Sequence, residues 1–144
     1  MTIFEALRED HDTQRKLADI LTDTSGESEG RAQLFERLKN ELAIHAEAEE
    51  RFFYKPLIAH DRTQELSRHG IAEHHELDEL VEELEKTDMS SPGWLVTAKK
   101  LQHKIHHHLE EEEHEFFQVA GKVFTEEQKS SLANDYKNYV KENK

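Results

Sequence analysis

Histidine and glutamate recur along this chain at a spacing that suits metal binding. His45 and Glu49 are four residues apart, and so are His108 and Glu112. In an α-helix this spacing places the two side chains of each pair on one face. Neutral imidazole and carboxylate are ordinary ligands of first-row metals. Each pair is therefore a candidate for holding a metal ion.

The second pair lies within an apolar stripe. Ile105 and Phe116 are in helical phase with His108 and Glu112, and Leu101 and Val119 extend the same predicted face. A histidine and a glutamate inside such a stripe are costly unless something satisfies them. Two Fe or Zn ions would do so. A chain so rich in His and Glu could also turn one pair inward by chance, and this stretch alone leaves both interpretations open.

The same pattern occurs twice, with a constant offset of 63 residues that carries His45 onto His108 and Glu49 onto Glu112. The offset also carries His11 onto His74. Each half therefore has a histidine followed, 34 residues later, by His-x-x-x-Glu. Such an exact repeat is not expected by chance and favours metal binding. The candidate metal ligands are His11, His45, Glu49, His74, His108 and Glu112.

Composition limits the class of protein. A chain of 144 residues is long enough for one domain with a real core. Two prolines, five glycines and a hydrophobic content of 35% suit helices with narrow apolar stripes and charged outer faces. The formal charge of −13 argues against nucleic acid or an anionic membrane as a partner. The absence of cysteine excludes disulfides, iron–sulfur clusters and thiol catalysis.

Targeting signals are not evident. The first ten residues lack the basic start and apolar run of a signal peptide. No stretch approaches the roughly 20 apolar residues of a membrane span. We therefore expect a soluble, cytoplasmic protein that does not associate with membranes.

Four long helices are predicted to position the six candidate ligands. Short loops favour an all-α, antiparallel up-down-up-down four-helix bundle. We expect one domain over 1–144, with its core at 1–122 and a C-terminal helix at 125–142 to which no chemistry is assigned. The predicted long helices cover about 2–23, 31–55 with Pro56 at the last turn or end, from about 62 to 86, and 92–121.

In such a bundle the two halves face each other. Six ligands overfill a tetrahedral zinc site, whereas two carboxylates can bridge a metal pair with two imidazoles on each ion. Tyr54 is most simply a packing residue, and the alternative, a role near a metal, has no support in the sequence. Several histidines lie outside the inner stripes. His75 is expected to face outward, and the others are expected to be solvated or to contact a ligand from outside; they are His103, His106, His107 and His114.

The motifs resemble those of the hemerythrin-like, or HHE cation-binding, family, in its microbial branch. The resemblance extends to about Phe117 and rests on Asp10-His11, His45-Ala-Glu-Ala-Glu49-Glu50, Glu73-His74-His75-Glu76 and His107-His108-Leu-Glu-Glu-Glu112-Glu113. It implies two Fe ions in an oxo- or hydroxo-bridged di-iron centre, with the six candidate residues as metal ligands. It also implies reversible chemistry with O₂ or another small diatomic or peroxide ligand.

The chain departs from the invertebrate hemerythrins at two positions. Those proteins have a histidine four residues before the third-helix ligand, where this chain has Gly70. They have an aspartate five residues after the fourth-helix histidine, where this chain has Glu112, four residues on. A fifth histidine ligand is therefore unassigned.

Three functions remain open at this stage. The first is reversible binding of O₂ or a related ligand by a carrier, buffer or sensor. The second is a di-iron enzyme acting on peroxide or nitric oxide, and the third is iron storage or iron-centre repair. The apolar stripes around the four histidines contain no Lys or Arg, and Gln14 is polar but not titratable. Because peroxide chemistry benefits from a titratable group, the sequence favours a binding protein over an enzyme.

Overall fold

The computed structural model describes residues 1–26 and 28–144, and these residues are helical with no strand. Five helices pack together, and the predicted all-α fold, a four-helix bundle with a fifth C-terminal helix, is confirmed. Two helices contain a π-helical turn. The helices are α1 (Ile3–Thr22), α2 (Glu29–Glu49, π turn Glu50–Tyr54, then Lys55–Ile58), α3 (Gln64–Lys86), α4 (Pro92–Glu111, π turn Glu112–Phe116, then Phe117–Val123) and α5 (Glu126–Asn143).

Capping residues define the starts of the first and last helices. The Thr2 hydroxyl accepts from the Glu5 N–H while the Glu5 carboxylate accepts from the Thr2 N–H. Thr125 and Gln128 form the same reciprocal pair at the start of α5. Each pair satisfies two backbone donors that a helix start leaves free. Because Thr125 is the cap, α5 begins one residue later than predicted.

The helix α2 ends three residues beyond Lys55, and Pro56 lies in its last turn, which is one of the two positions predicted for it. The helix continues past Pro56 to Ile58, although proline lacks the N–H that an α-helix needs. The π turn just before it already departs from α-helical bonding, since the Lys55 N–H bonds the Glu50 carbonyl five residues back. α4 likewise continues to Val123, two residues beyond its predicted end.

A π turn lies at the end of each His-x-x-x-Glu motif. One starts at Glu50 and the other at Glu112, where the Phe117 N–H bonds the Glu112 carbonyl. π turns of this kind are frequent at functional sites. The extra residue changes the helical phase, so Phe117 and Ala120 are buried. Val119, predicted to face inward, is only half-buried.

The bundle interior holds two apolar clusters. One surrounds Phe53 and Phe117 near the start of α1 and under α5. The other surrounds Leu38 and Trp94 at the opposite end. On α1, α2 and α4, the candidate ligands lie where the two clusters meet. Among the described residues, no helix is both long and apolar enough to cross a membrane.

Candidate metal centre

The six predicted ligands lie together in the bundle interior, and all six are buried. One ligand atom each from His11, His45 and Glu49 lies within 4.8 Å of the other two. The same holds for Glu49, His74 and His108. The carboxylate of Glu49 therefore belongs to both groups of imidazoles.

Glu112 spans the same two groups. Its Oε1 lies 3.2 Å from His11 Nε2, and its Oε2 lies 3.3 Å from His108 Nε2. Glu49 Oε2 lies 3.8 Å from His11 Nε2, and its Oε1 lies 2.9 Å from His74 Nε2. Each carboxylate thus reaches one imidazole on either side, which is the arrangement expected of a bridging ligand.

Several inward-facing atoms lack a hydrogen-bond partner among the described residues. A buried polar atom left unpaired costs about 1–3 kcal/mol, so a group of them in one place requires a physical reason. Four imidazoles and two carboxylates are suitable donors for two first-row metal ions, and bound ions would satisfy these atoms. The unpaired ones are His11 Nε2, His45 Nε2, His108 Nε2, Glu49 Oε2 and Glu112 Oε1.

Acidic residues hold the other ring nitrogen of two histidines. His11 Nδ1 lies 2.7 Å from Glu113 Oε2, and His74 Nδ1 lies 2.8 Å from Glu50 Oε2. These two contacts are related by the 63-residue offset. A carboxylate at Nδ1 keeps that proton in place, so Nε2 is the ring nitrogen that faces inward and would bind a metal.

The contacts at Nδ1 of His45 and His108 differ between the two halves of the repeat. His108 Nδ1 donates directly to Glu73 Oε1 at 2.7 Å. The offset places Asp10 opposite His45, but an aspartate is one methylene shorter. Tyr136 fills the gap: its hydroxyl accepts from His45 Nδ1 at 2.6 Å and donates to Asp10. No chemistry was assigned to the C-terminal helix from the sequence, and the structure shows that α5 supplies this tyrosine next to a candidate ligand.

Tyr54 also reaches the site. Its hydroxyl donates to Glu112 Oε2 in the buried interior. Tyr54 therefore contacts a candidate ligand in addition to packing in the core. The ring lies beside Gly70, where an added Cβ would come within 2.8 Å of Tyr54 Cε1 and closer still to Cζ and Oη. Gly70 is the position at which the invertebrate proteins carry their additional histidine. In this chain the phenol of Tyr54 occupies that space.

The ionisation of the site reflects its burial and its charges. Burial disfavours the charged form of His74, yet Glu49 and Glu50 outweigh it and raise its pKa to about 10. Burial and the neighbouring Glu49 raise the pKa of Glu112. Burial and Glu112 likewise raise the pKa of Tyr54. A pKa of about 10 means that His74 carries a proton on each ring nitrogen when no cation is bound, and a bound cation would replace the proton on Nε2.

The outer histidines lie where the sequence predicts them. His75, His103, His107 and His114 are exposed, and His106 is partly exposed with Nε2 2.8 Å from Asp19 Oδ1. None is among the residues that contact the buried carboxylates.

Fold and site together define a helical bundle with a buried His–Glu group suited to cations. The sequence model of the family described as Hemerythrin HHE cation binding domain matches residues 2–120. The chain belongs to this family, as its motifs indicate. No curated protein matches the chain in sequence. A solved structure of a hemerythrin HHE cation binding domain-containing protein, an Rv2633c homologue from Mycobacterium kansasii, is 25% identical with a TM-score of 0.83. The match covers 99% of this chain and 89% of that one.

Proposed function

We propose that this domain holds two iron ions and binds O₂ or a related small ligand reversibly. The observation that carries the proposal is the position of Glu49 and Glu112, each within reach of imidazoles on both sides of the site. A pair of iron ions held by these residues would supply reversible redox chemistry with O₂ and similar molecules. The six proposed ligands are His11, His45, Glu49, His74, His108 and Glu112.

The ligands divide into two sets. His11 and His45 lie with ring centroids 5.0 Å apart and would hold one ion. His74 and His108 lie with ring centroids 5.2 Å apart and would hold the other. The contacts at each Nδ1 fix the ring orientation before any ion binds, which lowers the cost of assembling the site.

A narrow cavity beside the histidines suits a very small ligand. Its volume is about 10 Å³, comparable to a single water-sized molecule. The buried Gln14 lines it, and Gln14 Nε2 has no hydrogen-bond partner among the described residues. This amide can donate to a polar diatomic or peroxide ligand. The lining residues are Gln14, Leu42, His45, Ala46, His74, Leu77, Asp78 and His108.

One observation favours a second candidate function, the consumption of peroxide. Breaking an O–O bond benefits from a group that can give and take a proton close to the reacting atoms. The Tyr54 hydroxyl carries a proton close to the candidate centre and donates it in a hydrogen bond to Glu112. The sequence alone did not predict this group there.

One experiment separates the two functions. Protein purified from iron-replete cells is reduced without air, exposed to O₂ and then returned to vacuum, with absorption spectra taken at each step. The same protein is mixed with H₂O₂ while dissolved O₂ is recorded. Reversible binding predicts that the reduced spectrum returns over several cycles and that little O₂ is evolved.

Peroxide consumption predicts rapid O₂ evolution in proportion to bound iron. A protein that contains iron yet shows neither a spectral response to O₂ nor loss of peroxide would contradict both functions.

A further inference from the structure

A second group of histidine and glutamate lies outside the buried centre, between α3 and α4. His69 Nε2 is 2.9 Å from Glu111 Oε1 and 3.6 Å from Glu73 Oε1. One ligand atom from each of the three residues lies within 4.8 Å of the other two. Ligands held at 2.0–2.2 Å around one zinc-sized ion lie roughly 3–4.4 Å apart. Small side-chain movements would therefore bring these atoms onto a single ion.

The charges of this group favour a cation. In the part of the chain that the structure describes, no Lys or Arg forms an ion pair with Glu73 or Glu111. Other carboxylates on the same helices are paired in that way, as Glu76 is with Lys104. Two carboxylates facing one imidazole place negative charge at the surface that a divalent ion would balance. One nitrogen and two oxygen donors suit borderline first-row ions.

The group is open to solvent on one side. The side chain of His69 is 52% exposed, that of Glu111 is 22% exposed, and that of Glu73 is 9% exposed. The His69 ring packs edge-on against Phe116, with centroids 6.0 Å apart, which limits its rotation. The hydrogen that His69 Nε2 donates to Glu111 lies where an ion would sit. An ion can enter from solvent when the ring proton is on Nδ1 and Nε2 is free to bind.

We propose that His69, Glu73 and Glu111 form a separate surface site for one divalent transition-metal ion of the Zn²⁺ or Fe²⁺ type. The site adjoins the buried centre through Glu73, because Glu73 Oε1 also accepts from His108 Nδ1. It does not depend on any reaction with O₂ or peroxide. Its ligands come from α3 and α4 only.

The test uses untagged, iron-loaded protein titrated with ZnCl₂ by calorimetry, followed by elemental analysis of zinc released by a brief chelator wash. We expect His69→Gln and Glu111→Gln each to bind one zinc fewer than wild type, or to bind it at least tenfold more weakly. His75→Gln is the matched control, since His75 is exposed on α3 and outside the group. It should bind zinc as wild type does.

Two results would overturn the proposal: no removable zinc in wild type, or equal zinc binding in His69→Gln, Glu111→Gln and His75→Gln. Buried iron is counted in the same samples and should stay at the wild-type value in every variant. Loss of the surface site is thereby distinguished from failure of the proposed di-iron centre. Glu73 is left unchanged because it supports His108.

Discussion

The Tyr54 ring occupies the space beside Gly70 that the Cβ of any other residue would fill. The hydroxyl of that ring is hydrogen-bonded to Glu112 in the centre. Gly70→Ala should therefore force the ring away from Glu112. Overpacking of this kind costs about 1–3 kcal/mol, and we expect the free energy of unfolding of the metal-free protein to fall by that amount in a urea titration.

Gly121→Ala is the matched control. Gly121 is in the last α-helical segment of α4, and an added Cβ there meets no described residue within 4 Å. Alanine is favoured over glycine in a helix by about 0.5–1 kcal/mol, so this variant should be as stable as wild type or slightly more so. An equal increase in the free energy of unfolding in Gly70→Ala and Gly121→Ala would show that Tyr54 does not lie against residue 70.

Tyr54→Phe removes the hydroxyl and keeps the ring. Glu112 Oε2 then loses its donor, and the carboxylate is less firmly held. Losing a supporting contact of this kind typically costs 10–100-fold in metal affinity. We expect iron transfer to a chelator to be faster by roughly that factor, with unchanged helix content by circular dichroism.

The control is Tyr139→Phe, because Tyr139 packs against Phe52 away from the buried carboxylates. Its iron should be released at the wild-type rate. Identical release from both variants would mean that the Tyr54 hydroxyl does not support the centre.

Helical periodicity was sufficient to find the six residues that meet in the interior. His45 and Glu49 are one turn apart, so they share a face whatever the neighbouring helices do. The exact repeat supplied the partner set around His108. The supporting pairs were also present in the repeat, since the same offset relates Glu50 to Glu113 and Asp10 to Glu73.

Two tyrosines could not be placed from the sequence. Tyr136 is 91 residues from His45 along the chain, and only the packing of α5 brings them together. Tyr54 directly follows Phe53, and in a regular α-helix neighbours point about 100° apart. The π turn buries both residues, and local periodicity gives no indication that such a turn occurs there.

Tyr136→Phe tests the one contact at Nδ1 that is made through a tyrosine and not directly by a carboxylate. The change removes the link between His45 Nδ1 and Asp10, and we expect one of the two ions to bind about 10–100-fold more weakly. Adding Asp10→Glu should restore much of this affinity, because the longer carboxylate can reach His45 as Glu73 reaches His108. Competition with a chelator measures both variants. If the double variant binds iron no more tightly than Tyr136→Phe, a glutamate at position 10 does not support His45 as Glu73 supports His108.

The exposed histidines of α4 should not affect how much iron the buried centre holds. We expect the triple variant His103→Gln, His106→Gln and His114→Gln to retain the wild-type iron content, since these side chains are exposed or partly exposed on α4. Elemental analysis after a chelator wash gives the answer. A loss of half the iron or more would contradict the position of the centre described above.

The central claim is a centre of two metal ions with iron preferred, and the most direct test is the number of iron ions per chain. Metal-free protein is reconstituted with Fe²⁺ without air, passed through a desalting column and measured for iron, zinc and protein. The account predicts two iron ions per chain, because two imidazole pairs share two carboxylates. One zinc ion per chain from the cell, with no uptake of iron on reconstitution, would contradict it.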